Sequence, residues 1–257
     1  MKEEMDLITT YLGEDSVEGI FTAIYLAWEK GTSCTAVEVQ GGGTMSLFAT
    51  YIEVATDLVI AEKVANSIRR KLSQELYEEV YRAALCAADG KAQTIYRFLV
   101  KAFRVGTSIL QRFADEDVMR MFEMTRTIGN ESHRYLEFVR FEELNNGVLI
   151  SKIQPEANVI PLIADHFADR LHCENWIILD TNRHYSVVHR AGEGYIFTYD
   201  ITEESLNAFA PVSDKEVQFQ QLWKRFFDTI AIEERKNRRT QMNFLPLKFR
   251  NRMTEFQ

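Results

Sequence analysis

The stretch from Arg126 to Phe141, Arg-Thr-Ile-Gly-Asn-Glu-Ser-His-Arg-Tyr-Leu-Glu-Phe-Val-Arg-Phe, constrains this chain most, because its apolar period changes midway. On a wheel of about 100° per residue, Val118, Met121, Phe122, Thr125, Ile128, Gly129 and Ser132 fall on one side of a helix. That side faces a core. From Tyr135 the period becomes two, with Leu136 and Phe138 on one face and Val139 and Phe141 on the other. This predicts that the helix hands over to a strand near Tyr135. Arg126, Asn130 and His133 follow one margin of the helical stripe, with Arg134 a step further round and Glu131 on the opposite side. The row can hold a ligand. It can equally border the core, with His133 and Arg126 paired to carboxylates such as Glu131 or Glu137.

Upstream, Ser16 caps a helix from Val17 to Glu29 that Gly31 stops. Thr35 to Gln40 and Leu47 to Val54 read as extended runs joined through Gly41 to Gly43, a hairpin-like turn without the spacing of a phosphate loop. Helices are expected at Asp57–Lys71, Ser73–Ala87 and Lys91–Val105. Their apolar stripes, such as Leu76, Val80 and Ala84, repeat at helical spacing and read as core. Asp115 caps the helix that enters the organising stretch.

Downstream, Asn146-Gly147 predicts a hairpin of Tyr135–Glu143 with Val148–Ile153. Asn158–Leu171 reads as a short helix with Pro161 in its first turn and His166 beside its apolar stripe. Trp176–Asp180, Tyr185–Arg190 and Gly194–Tyr199 are three further strands. Asp180 closes its strand, as an Asx-turn residue in preference to a site acid. Ser213 with Glu216 forms a capping box, and Phe219, Leu222, Trp223, Phe226, Phe227 and Ile230 make an aromatic stripe on the last helix. The fold class is therefore α+β, with an antiparallel sheet of about five strands in the second half, packed with helices, and a mainly helical N-terminal lobe. Residues 1–114 form that lobe with its short hairpin and residues 115–257 the α+β core with a basic C-terminal segment, together one compact body.

An apolar fraction of 46% is ample for a core without staples. Cys34, Cys86 and Cys173 are widely spaced and odd in number, which suits a reducing compartment. His172, His184 and His189 lack the spacing of a metal motif, so neither a metal nor a cofactor is expected. Met1 to Asp6 lack an apolar leader core, and no run approaches the roughly 20 apolar residues of a membrane span, so a cytoplasmic protein is expected. The formal charge of −8 is unevenly placed: Lys224 to Arg252 hold nine basic residues against three acids. The basic residues of this tail, Arg235, Lys236, Arg238 and Arg239 and then Lys248, Arg250 and Arg252, are interleaved with Phe244, Phe249 and Phe256, a mixture suited to phosphate contact and base stacking, or to a tail whose aromatics dock on the core.

Glu131, His133, Arg134, Phe138, Arg140 and Phe141 stand in an ExHRxxxFxRF arrangement that resembles a bacterial family of DNA-metabolism or DNA-repair proteins. The resemblance continues through His166–Leu171, Trp176–Asp180, Leu222–Phe227, Ile230–Asn237, Leu245–Arg250 and Met253–Phe256. It implies a domain of unknown function encoded beside a radical-SAM protein, with related domains fused to uracil-DNA-glycosylase-like domains. It transfers no catalytic residues.

Two readings from different classes follow. In the first, an accessory subunit for DNA repair or modification works with a radical-SAM partner. Arg126, Asn130, His133, Arg134 and Arg140 then hold backbone or an extruded base, and Arg235, Lys236, Arg238 and Arg239 grip phosphates. In the second, the chain is itself a glycosylase-type or hydrolytic repair enzyme, with His133 as general acid or base and Glu131 or Asp180 orienting it. Glu131 points away from His133 on the wheel, so its carboxylate partner has to come from elsewhere. A pure protein-binding adaptor is the third, least specific reading.

Overall fold

The computed structural model describes residues 8–32, 35–42, 49–199, 201–202, 204–205, 211–232, 237–250 and 253–256. The chain divides into two compact units, residues 1–130 with 156–158, and residues 131–155 with 159–257. No helix among the described residues is long and apolar enough to cross a membrane.

The first unit is built on a parallel sheet of β1 (Ile8–Gly13), β2 (Thr35–Val39) and β3 (Ala49–Glu53), in the order β2-β1-β3. The expected hairpin between the second and third runs does not form, since both pair with β1. Periodicity marks a strand but not its partner, and here the partner is the β-branched and aromatic run Ile-Thr-Thr-Tyr-Leu that follows the acidic start. The connecting residues 43–48 lie outside the described set.

β1 turns directly into α1 (Val17–Lys30), which Ser16 caps through the amide of Gly19. Strand and helix approach so closely here that a Cβ on Gly13 would lie 2.6 Å from the Gly19 carbonyl oxygen. One on Gly19 would lie 2.6 Å from that of Glu14. Glycine at both positions is a packing requirement.

Asp57 and Ser73 cap α2 (Leu58–Lys71) and α3 (Gln74–Leu85), and Gly90 and Gly106 bound α4 (Lys91–Val105). Ile20, Phe21, Ile68, Leu76, Val80, Ile95, Phe98 and Leu99 are fully enclosed and form the core. After a 3-10 turn at Gly106–Gln111, Asp115 caps α5 (Glu116–Phe138), within which the division between the units falls.

The second unit carries the five-stranded sheet β4 (Glu142–Glu143), β5 (Leu149–Ile153), β6 (Trp176–Asp180), β7 (Tyr185–Arg190) and β8 (Gly194–Thr198), in that order. It is antiparallel except between β5 and β6, which are parallel and joined through α6 (Ile160–Arg170). A helical crossover between neighbouring strands makes that pairing parallel, so the sheet is mixed.

Trp176, Ile178, Leu179 and Val187 are sealed in the sheet, while Ile160, Ile163 and Ala164 of α6 form the core of the helical layer. Burial on both faces explains why β6 reads as an unbroken apolar run. Leu144, Ile150 and Leu179 make a smaller apolar cluster.

α5 does not give way at Tyr135. It continues to Phe138, because Tyr135 and Phe138, three residues apart, close on Phe249 with ring centroids 5.0 and 5.3 Å away. The apparent alternation is an i, i+3 pair with a distant partner. The hairpin through Asn146-Gly147 therefore keeps only β4 as its first strand.

Downstream come α7 (Asp214–Ile230), α8 (Arg238–Phe244), α9 (Leu247–Arg250) and a 3-10 turn at Thr254–Phe256.

Candidate functional site

α5 presents the row anticipated from the wheel. Arg126 and Asn130 are exposed, and Arg134 is half-buried. His133 is 72% exposed at its side chain, with Nε2 3.4 Å from Glu137. Glu131, on the other side, is buried and accepts a hydrogen bond from Lys248 Nζ at 3.2 Å. The carboxylate nearest His133 in sequence is thus drawn toward α9, and a helical neighbour stands at the imidazole instead.

Asp180 is sealed beneath the turn after β6. Its Oδ1 accepts the amides of Asn182 and Arg183 at 2.9 and 3.2 Å, and Arg183 Nη1 reaches Oδ2 at 2.9 Å. This is the Asx-turn role. Burial pushes its carboxyl up, against the hydrogen bond and attraction of Arg183.

Arg140 lies in a different setting. It donates to the carbonyl oxygens of Glu137 and Val139 and sits 3.6 Å from Glu255. It also lines a groove of about 350 Å3 with Phe141, Phe219 and Trp223, where Glu216 and Glu255 supply carboxylates. Trp223 Nε1 donates to Glu255 at 3.2 Å.

The groove opens onto a face that helical periodicity alone assigns to the core. Phe219, Leu222, Trp223, Phe226 and Ile230 fall within about 100° of one another on α7. None is buried: Trp223 is 46% and Phe226 53% exposed. A helical stripe shows which residues share a side. Whether that side is covered depends on tertiary partners.

Arg225, exposed, lies about 60° beyond Leu222 on the same wheel, and Lys215, one turn before Phe219, holds its Nζ 5.8 Å from the Phe219 ring centroid. The result is a row of accessible aromatic faces edged by cations.

The three aromatics of the basic segment separate. Phe249 is 5% exposed and docks on α5, Phe256 packs against Phe227 and under Arg250, and Phe244 is 77% exposed. Arg238 and Arg239 are exposed at the start of α8, whereas Arg235 and Lys236 lie outside the described residues. Among the described residues, no group of three His, Cys, Asp or Glu is placed to hold a metal ion.

A family model for a domain of unknown function, DUF4130, matches residues 89–255. No curated protein matches the chain. Among solved structures, a chain described as a member of the s1p family of ribosomal proteins, DHH domain, is similar over 73% of this chain and 74% of its own length. It is 11% identical, with a TM-score of 0.34, and so weak a likeness carries no argument.

Proposed function

The chain belongs to the DUF4130 family, a domain of unknown function. From that premise, we propose that it is a cytoplasmic nucleic-acid-binding accessory protein in DNA repair or modification, acting beside a radical-SAM enzyme. The observation that carries this reading is the uncovered face of α7, where Phe219, Trp223 and Phe226 offer flat rings beside Lys215 and Arg225.

Aromatic platforms with cationic margins suit single strands, because each base has a face to stack and each phosphate a charge to neutralise. The groove lined by Arg140 lies at the same face and extends it. Arg238 and Arg239 add positive charge further along the segment. The surroundings of His133 lend less to the enzyme reading, since the imidazole is open to solvent and its near partner is one helical carboxylate.

The test is anisotropy of labelled single-stranded DNA with the purified chain across a salt series. Trp223→Ala/Phe226→Ala is expected to weaken binding by about 1–3 kcal/mol for each base that loses its platform. Arg235→Ala/Lys236→Ala/Arg238→Ala/Arg239→Ala is expected to reduce the slope of log affinity against log salt by about 3, since four phosphates each contribute roughly 0.7 on single strands. Absence of binding at low salt, with retained binding to the radical-SAM partner, would replace this reading with the adaptor.

A further inference from the structure

Between α1, α2 and α4 the first unit holds a cavity of about 350 Å3. Its floor is Ile24 and Leu99, 2% and 1% exposed, so the space is recessed toward the core and does not lie on a flat face. Tyr25, Trp28 and Glu29 come from one side of α1, at i, i+3 and i+4, and Phe103 stands one turn after Leu99 on α4. Trp28 and Phe103 meet edge to face, with ring centroids 5.3 Å apart and planes at 76°. Trp28 is nevertheless 39% exposed. An open indole and a phenyl ring edge-on to it make two walls of a slot for a flat apolar group, because aromatic rings pack offset or edge-on.

The α2 wall is polar. Lys63, Ser67 and Lys71 recur there every four residues, with Val64 beside them. Both lysines are exposed, and neither ammonium group has an ion pair or hydrogen bond among the described residues. That sets them apart from Lys91, Lys101 and Lys248, each of which reaches a carboxylate. Glu29 adds one negative charge from the α1 side, also without a partner among the described residues. Two lysines and one glutamate leave the lining at +1. That charge complements a single carboxylate, while Glu29 works against the second charge of a phosphate dianion.

We propose that this cavity binds a small aromatic carboxylate, its ring against Trp28 and Phe103 above Ile24 and Leu99 and its anionic group at Lys63 and Lys71. The volume is that of a small-molecule site, and an apolar body with a few polar contacts is what such sites usually take. The proposal does not rest on nucleic-acid binding, since the cavity belongs to the first unit and the α7 stripe to the second.

The test uses the full chain and naphthoate, with naphthylmethylammonium and naphthyl phosphate titrated in parallel at low ionic strength. Calorimetry is expected to show saturable binding of the carboxylate, about tenfold or more tighter than of the ammonium probe, which meets repulsion at the same lysines. Of the three tryptophan indole N–H signals, that of Trp28 is expected to shift with naphthoate while those of Trp176 and Trp223 stay. Lys63→Gln/Lys71→Gln, at exposed positions, is expected to keep the thermal midpoint and to weaken naphthoate binding about tenfold, as loss of a charge-assisted hydrogen bond does. Lack of saturation, equal affinity for the two charge types, tighter binding of the phosphate, full affinity in the lysine variant, or a shift of the Trp223 signal in place of the Trp28 one would overturn the proposal.

Discussion

At the scale of single residues, Asp115 shows how one side chain does two tasks. Its Oδ1 caps α5 through the amides of Asp117 and Val118, and both its oxygens accept from Lys101 Nζ at 2.7 Å. The Lys101 hydrogen bond, ahead of the backbone amides, holds its carboxyl below the ordinary value of 3.8. A carboxyl depressed in the folded state stabilises fully above its unfolded value and loses that contribution as pH falls through the folded one. Asp115→Asn keeps a capping oxygen and removes the charge. It is expected to cost about 0.2–1 kcal/mol at neutral pH, as a partly exposed ion pair does, with the difference from wild type shrinking in urea titrations below pH 3.8. Gly19 makes a steric prediction of the same size or larger. Gly19→Ala forces its Cβ against the Glu14 backbone and is expected to destabilise by about 1–3 kcal/mol in the same titrations, although alanine is ordinarily the better helix former.

At the scale of elements, α5 and α7 make opposite uses of aromatic stripes. Tyr135 and Phe138 on α5 are covered by Phe249, which reaches them from more than a hundred residues away. Phe249→Ala is expected to cost about 3–5 kcal/mol, as truncation of a buried phenylalanine does, measured by thermal or urea unfolding. The stripe on α7 is open, so Phe226→Gln is expected to change stability by less than about 0.5 kcal/mol while weakening single-strand binding. Together these separate residues that hold the fold from residues offered to a ligand. Ser213 serves α7 as Asp115 serves α5, accepting the Glu216 amide at 3.0 Å, so the helix is well started although its apolar face is uncovered.

At the scale of the whole molecule, burial is concentrated in two separate cores. α1 encloses eight residues, and β6 and β7 are almost wholly buried, whereas α7 has no buried residue among its seventeen. Local opening costs least where few apolar contacts are lost. Hydrogen exchange followed by mass spectrometry is therefore expected to be slowest in α1, β6 and β7 and fastest, among the long helices, in α7. Added single-stranded DNA is expected to slow α7 selectively. The charge is uneven as well: a chain of net −8 carries nine basic residues against three acids between Lys224 and Arg252.

Elements defined by local chemistry are legible in the order of residues. The caps at Ser16, Asp115 and Ser213, the Asn-Gly turn, the strands from Trp176 to Thr198 and the Asx role of Asp180 depend on neighbours a few residues away, and those neighbours are written in the sequence. Partners far along the chain are not legible in the same way. Periodicity does not tell that β2 and β3 both pair with β1, that β5 and β6 run parallel, or that Phe249 extends α5 past Tyr135. Nor does it tell that the α7 stripe stays uncovered, or that Trp28, Lys63 and Phe103 line one cavity between α1, α2 and α4. The amino-acid sequence by itself determined which residues share a face. The tertiary structure decided what each face meets, because contact is a property of three-dimensional position, and position depends on every other element.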